Sequence, residues 1–257
     1  MKTKTNWKLF FLLVGIGIAG AGVVLPFTFA LEQLPDNAPP LPILAIASLA
    51  QSLVILAIVV FFGLKMAQRV GFKMPFLEGI AGGEKQPGYL KKIAWPSILW
   101  GLGGGVLSVI LCIPFWQMSI DLMKSEMGVS LWKAILACFE GGGYEEILFR
   151  LFVMTFIVWI SFKIKKNKEG GPTKTGIWIA IILTGILFGL GHLPITSSLT
   201  SITAPVIIRA VLLNGSLSVI YGWLYWKKGL ESAMIAHFST DVVLHLLIPH
   251  LIAYIFI

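Results

Sequence analysis

Charge is what this chain of 257 residues has least of: Asp, Glu, Lys and Arg together make up 12% of it, about half the share found in soluble domains. An ordinary soluble domain is therefore excluded. Cysteine is nearly absent too. Cys112 and Cys138 both fall in or beside apolar runs, which supports neither a disulfide framework nor a zinc-type cysteine cluster and leaves them as small core residues. There is no internal repeat and no low-complexity tract. The formal net charge of +8 has no basic face behind it, because the lysines stand between apolar stretches, so nucleic acid is not an expected partner. What the chain does have is apolar length: 57% hydrophobic residues and a mean hydropathy of +0.88.

Runs of about 20 apolar residues, enough to cross a bilayer, lie near 9–31, 42–64, 94–116, 131–162, 176–193, 204–226 and 229–248, with 247–257 as a possible short last segment. The expected fold is an all-α polytopic membrane helix bundle of seven or eight transmembrane helices. The first run follows Lys2, Lys4 and Lys8 and ends near Phe29-Ala30; it is long for a signal-peptide core and is read as a retained span. Most of the 20 basic residues fall on one side if the N-terminus is cytoplasmic, including Lys65, Arg69, Lys73, Lys85, Lys91 and Lys92 in one loop and Lys163 to Lys174 in another. Trp95, Trp132, Trp178, Trp223 and Trp226 sit near span ends and read as interfacial anchors.

A single integral membrane domain accounts for residues 1–257, with N-terminal helices and a cytoplasmic amphipathic connector in 1–128 and the polar motifs in 129–250. The connector, Lys65 to Lys92, mixes basic residues with Phe72, Met74, Phe76 and Leu77, which suits either a segment lying along the inner headgroups or a solvated loop. The outer loop Leu34-Pro35-Asp36-Asn37-Ala38-Pro39-Pro40 is a turn-forming connector.

Against this background one stretch stands out. Glu140, Glu145, Glu146 and Arg150 lie inside an apolar run. A charge at the bilayer centre costs about 2.5–3.5 kcal/mol on insertion scales, so such groups face a protein interior or a wet cavity and pair with something. Glu146 and Arg150 are i and i+4 and share a helix face; Glu145 is rotated by about 100° and is expected to have a different partner. The fourth run is too long for one straight crossing, and Gly141-Gly142-Gly143 offers a place to bend, fray or admit a neighbouring backbone.

Other polar groups can be placed by depth from the cytoplasmic span ends. Glu145, His192 and Arg209 each come out at roughly 25 Å, His237 at roughly 12 Å and Asp241 at roughly 18 Å. They can meet near mid-membrane. His192 ends its span after Phe188-Gly189-Leu190-Gly191, where backbone carbonyls are unpaired. His237, Asp241 and His245 make a polar stripe at i, i+4 spacing. His245 and His250 read as interface or lining residues, and Arg209 as the partner of an acid or a group near the outer headgroups. Glu140 could line an entrance.

The ordered set Glu145-Glu146-x-x-x-Arg150, Phe188-x-x-x-His192 and His237-x-x-x-Asp241, each piece on its own helix, resembles the CAAX-protease and bacteriocin-processing family of intramembrane proteases. The resemblance covers roughly residues 130–245. It implies that Glu145 and His192 activate a water, that His237 and Asp241 complete the site, and that Glu146 and Arg150 support it. The family position matched by Asp241 is Asn in the prenyl-protein-processing enzymes; an Asp donates a hydrogen bond only when protonated, and could instead orient the His237 imidazole. A bacterial plasma membrane, with a membrane-associated peptide or protein substrate, lipidated or not, follows from the same resemblance.

The residues support hydrolysis on their own terms. Amide cleavage needs a base for water, an acid for the leaving nitrogen and stabilisation of the oxyanion. Glu145, His192 and His237 could equally hold a zinc ion that polarises the carbonyl; no cofactor is certain. No His-Glu-x-x-His, Gly-x-Ser-Gly or Gly-x-Gly-Asp motif is present. Two other readings stay open: a non-proteolytic scaffold or bacteriocin-immunity protein, and a proton-coupled transporter, for which the internal repeats usual in carriers are missing.

Overall fold

A computed structural model describes residues 5–31, 34, 37–84 and 86–256. Lys2, Lys4, Pro35, Asp36, Lys85 and Ile257, which enter the expectations above, lie outside these residues. The chain is a helix bundle: α1 (Trp7–Val23), α2 (Leu25–Leu31), α3 (Leu41–Val70), α4 (Pro75–Gly82), α5 (Pro87–Leu111), α6 (Trp116–Met127), α7 (Leu131–Glu140), α8 (Thr155–Ile164), α9 (Lys174–Gly191), α10 (Leu193–Leu199), α11 (Ala204–Lys228), α12 (Leu230–Asp241) and α13 (Ile248–Phe256). Three π-helical stretches, Gly141–Glu145, Ile147–Met154 and Val242–Leu247, join α7 to α8 and α12 to α13 without a break. No strand occurs among the described residues. Seven continuous helices are long and apolar enough to cross a membrane: Trp7–Leu31, Leu41–Val70, Pro87–Leu111, Leu131–Ile164, Lys174–Leu199, Ala204–Lys228 and Leu230–Ile252.

The span boundaries follow local chemistry. α3 runs past the apolar stretch through Lys65 and Arg69, whose long side chains can reach the headgroups, and stops at Gly71, which takes the left-handed φ of 78°. α5 starts at Pro87, whose missing N–H costs nothing in a first turn. The segment 247–257 is no separate crossing, because α13 continues the helix begun by α12. α6 was invisible to a search for apolar runs: Gln117, Asp121, Lys124 and Glu126 make it a polar helix outside the spans.

Between α3 and α5, Phe72, Met74 and Leu77 are buried in the main core rather than turned to lipid. That connector caps one end of the bundle. The main core lies where α1, α3, α8, α9, α11 and α12 converge, around residues such as Leu13, Leu56, Leu151, Ile181 and Tyr221. Outward positions carry large apolar side chains, among them Ile46, Val54, Ile58 and Trp95, the pattern of helices solvated by lipid rather than water. Trp223 and Trp226 do more than face an interface, since they pack on Trp100 and Trp178 with ring centroids 5.2 and 6.2 Å apart. Cys112 and Cys138 are free and buried.

Candidate active site

The glycine run does not fray its helix; of the expectations raised for it, it admits a neighbouring backbone. Leu131–Ile164 is one helix of 34 residues, about 51 Å long at 1.5 Å per residue and longer than a hydrocarbon core of about 30 Å, so it tilts or projects from the bilayer. At the glycines it widens into a π-helix, a form that recurs at functional sites. The glycines serve close approach. A Cβ on Gly141 would collide with Asp241 Oδ2 and come within 2.9 Å of His237 Nε2, and one on Gly142 would come within 2.8 Å of the Met234 carbonyl. Only glycine lets α12 lie directly against this stretch.

The π widening also brings the two successive glutamates onto one imidazole. In an α-helix their side chains diverge by about 100°; a wider turn reduces that angle. Glu146 Oε1 accepts from His237 Nδ1 at 2.8 Å, while Glu145 Oε2 lies 3.6 Å from His237 Nε2. The expectation of separate partners is corrected accordingly: they share His237 but take opposite nitrogens. Contact between Glu145 and His237, despite their unequal depths counted from the span ends, means that the spans do not end level on that side.

Glu146 and Arg150 form an ion pair of 3.0 Å with both side chains fully buried. Two charges out of water cost less when their remaining bonding capacity is met, and here it is met in part, Glu146 Oε2 and Arg150 Nε having no hydrogen-bond partner among the described residues. Arg150 Nη2 donates to Ser218 Oγ at 2.8 Å, and the guanidinium lies 4.9 Å from the Phe188 ring centroid and 5.1 Å from that of Tyr221. Tyr221 also stacks on His237 at 4.4 Å. With Glu146 acting as acceptor, His237 Nδ1 carries a proton, and Nε2 is turned toward Glu145 and Asp241, each 3.6 Å away.

Exposure separates the two glutamates. The Glu145 side chain is 21% exposed and Glu146 not at all, so Glu145 is the carboxylate open to a molecule from outside the core. His192 stands apart. Its Nδ1 donates to the Phe188 carbonyl at 2.8 Å, a group left unpaired in the last turn of α9, and this leaves Nε2 free. Among the described residues no hydrogen bond or ion pair joins it to Glu145, His237 or Asp241. Its link is the Phe188 ring, 4.7 Å from the His192 ring and 5.7 Å from that of His237.

Several participants were not singled out from sequence. Ser218 and Tyr221 look like ordinary span residues, and only the fold shows them holding Arg150 and His237. His245 was set aside as an interface residue, yet its Nδ1 lies 2.9 Å from Glu126 Oε2 of α6. Arg209 donates to Ser119 at 2.9 Å rather than pairing with an acid among the described contacts. Beside the site, α1, α5, α12 and Gly142-Gly143 border an open cavity of about 730 Å³ lined by apolar groups such as Ile16, Ile98, Phe139, Met234 and Phe238.

Among the described residues no three His, Cys, Asp or Glu side chains form a group that could hold a metal ion, although both imidazoles commit Nδ1 and keep Nε2, the nitrogen that would bind one.

Residues 127–243 match the family model described as type II CAAX prenyl endopeptidase, Rce1-like. No curated protein and no solved structure matches the chain. The matched segment, a little under half of the chain, spans all three motifs, Glu145-Glu146-x-x-x-Arg150, Phe188-x-x-x-His192 and His237-x-x-x-Asp241, and over that segment the chain is similar to the CAAX-protease family of intramembrane proteases.

Proposed function

We propose that the protein is an endopeptidase that hydrolyses a peptide bond of a membrane-associated peptide or protein, using a water activated by Glu145. The observation that carries this reading is the asymmetry around His237: one glutamate buried and paired with Arg150, the other partly open and facing the same imidazole. Glu145 takes a proton from water, the hydroxide adds to the carbonyl, and the same carboxyl returns the proton to the leaving nitrogen. His237, as an imidazolium that donates Nδ1–H to Glu146, presents Nε2–H to the developing oxyanion, with the Asp241 carboxylate beside that same nitrogen to hold its proton in place. His192, with Nε2 free, is the second partner of the water. The adjoining apolar cavity suits a hydrophobic side chain or a lipid anchor of the substrate.

The test is reconstitution of the purified protein with membrane-anchored peptides, comparing wild type with Glu145→Gln and His192→Ala. Cleavage by wild type, with both variants folded and slower by a factor of about 10² or more, is expected. Cleavage that survives both changes ends the proposal. Proton uptake without cleavage would favour a transporter.

A further inference from the structure

Hydrolysis within a membrane needs a way in for water, and the 730 Å³ cavity is a poor one because its lining is apolar. A second chain of polar groups runs to the site from another direction. α6, outside the spans, exposes Asp121 and Lys124 at one end of the bundle. From the same helix Glu126 reaches inward to His245, 2.9 Å away, and the His245 ring rests edge-on against Phe27 of α2 at 5.8 Å. His245 follows Asp241 by four residues, and Glu140 at the end of α7 lies within electrostatic range of His245, Asp241 and Glu145. Side-chain exposure is 20% at Glu126, 34% at His245, 9% at Asp241, 6% at His237 and 21% at Glu145, so both ends of this path are open and its middle is buried. Glu140 is partly exposed.

We propose that Glu126, His245 and Glu140 form the aqueous approach to the active site, opening at the end of the bundle where α6 lies. Water and protons reach Glu145 along these groups, while the apolar cavity holds the substrate. His245, pinned by Glu126, is a positioning residue that keeps the passage polar where α2, α6 and the last helix meet. The assignment rests on Glu145 as the site of water activation, but its first test does not depend on cleavage.

That test labels single cysteines in proteoliposomes, with Cys112 and Cys138 replaced by alanine. Cysteines at Glu140, His245 and Glu126 are offered a charged, membrane-impermeant thiol reagent from each side in turn. Gly128→Cys, in the turn after α6, and Lys168→Cys, in the loop before α9, serve as reporters of the two sides. The three cysteines are expected to react from the side that modifies position 128 and to stay unmodified from the side that modifies position 168. Reaction from the position 168 side, or none from either side while both reporters react, overturns the route. If cysteine at 140 prevents folding, positions 126 and 245 decide. In the cleavage assay, His245→Leu lowers kcat about tenfold and leaves KM unchanged; a kcat within twofold of wild type counts against the route. A protein that cleaves nothing yet labels as expected loses its proposed activity and keeps its water path.

Discussion

At the scale of the residue, Glu146 and Arg150 are a scaffold for His237. Removing one member of a fully buried pair strands the other charge, so Arg150→Met is expected to destabilise the protein by about 3–5 kcal/mol, read as a drop in the thermal unfolding midpoint in detergent. Replacing both, by Glu146→Leu with Arg150→Met, restores much of that stability while leaving His237 Nδ1 without its acceptor. Activity should then stay low although the fold recovers. Recovery of both together would mean that Glu146 does not orient the imidazole. The open glutamate behaves differently: Glu145→Gln removes no buried partner, so its unfolding midpoint should stay at the wild-type value.

At the scale of the element, the glycines of the fourth span and of α5 make the local prediction sharpest. Gly141→Ala drives a methyl group into Asp241 and His237, and cleavage is expected to fall at least about tenfold, because displacements of about 1 Å at a reacting centre cost that much or more. Gly103→Ala in α5 meets nothing within 4 Å and should be neutral in activity and more stable by about 0.5–1 kcal/mol from helix propensity alone. Equal effects of the two would show that propensity, and not contact with the site, governs this region. At the opposite end of α12, Glu231 is buried and its Oε1 accepts from the Leu77 backbone N–H at 2.9 Å, capping the first turn of α4. Glu231→Ala loosens that connector by about 0.5–2 kcal/mol, seen as faster trypsin cleavage between residues 71 and 92. An unchanged cleavage rate there would leave Glu231 without the anchoring role.

At the scale of the whole molecule, the seven candidate crossings among the described residues, if each spans the bilayer once, put Trp7 and Ile252 on opposite sides. The bias of lysine and arginine predicts an orientation with the N-terminus, the connector and the 163–174 loop in the cytoplasm. In right-side-out vesicles a cysteine at Lys168 should therefore be protected from an impermeant thiol reagent and one at Gly128 should react; the reverse pattern inverts the topology. α6 and the water route would then open outward, whereas the α4 connector caps the cytoplasmic end. The structure thus separates three approaches to one centre: lipid-facing helices, an apolar cavity and a polar path.

Much of this was legible before any coordinates. Apolar run length gives seven or eight candidate spans, because a helix in lipid must satisfy its backbone within the segment, and seven helices among the described residues are long and apolar enough to cross. The cost of charge in a membrane points at once to Glu145, Glu146 and Arg150, and i, i+4 spacing pairs the last two. What sequence could not supply is everything that depends on where one helix meets another. That Gly141 presses on His237, that both glutamates address one imidazole, that Ser218 and Tyr221 hold the arginine, and that polar α6 reaches His245 are contacts between segments tens of residues apart, and no local periodicity encodes them. The break expected at the glycines became a π-helix for the same reason: a glycine permits several conformations, and the one adopted is set by the helix packed against it.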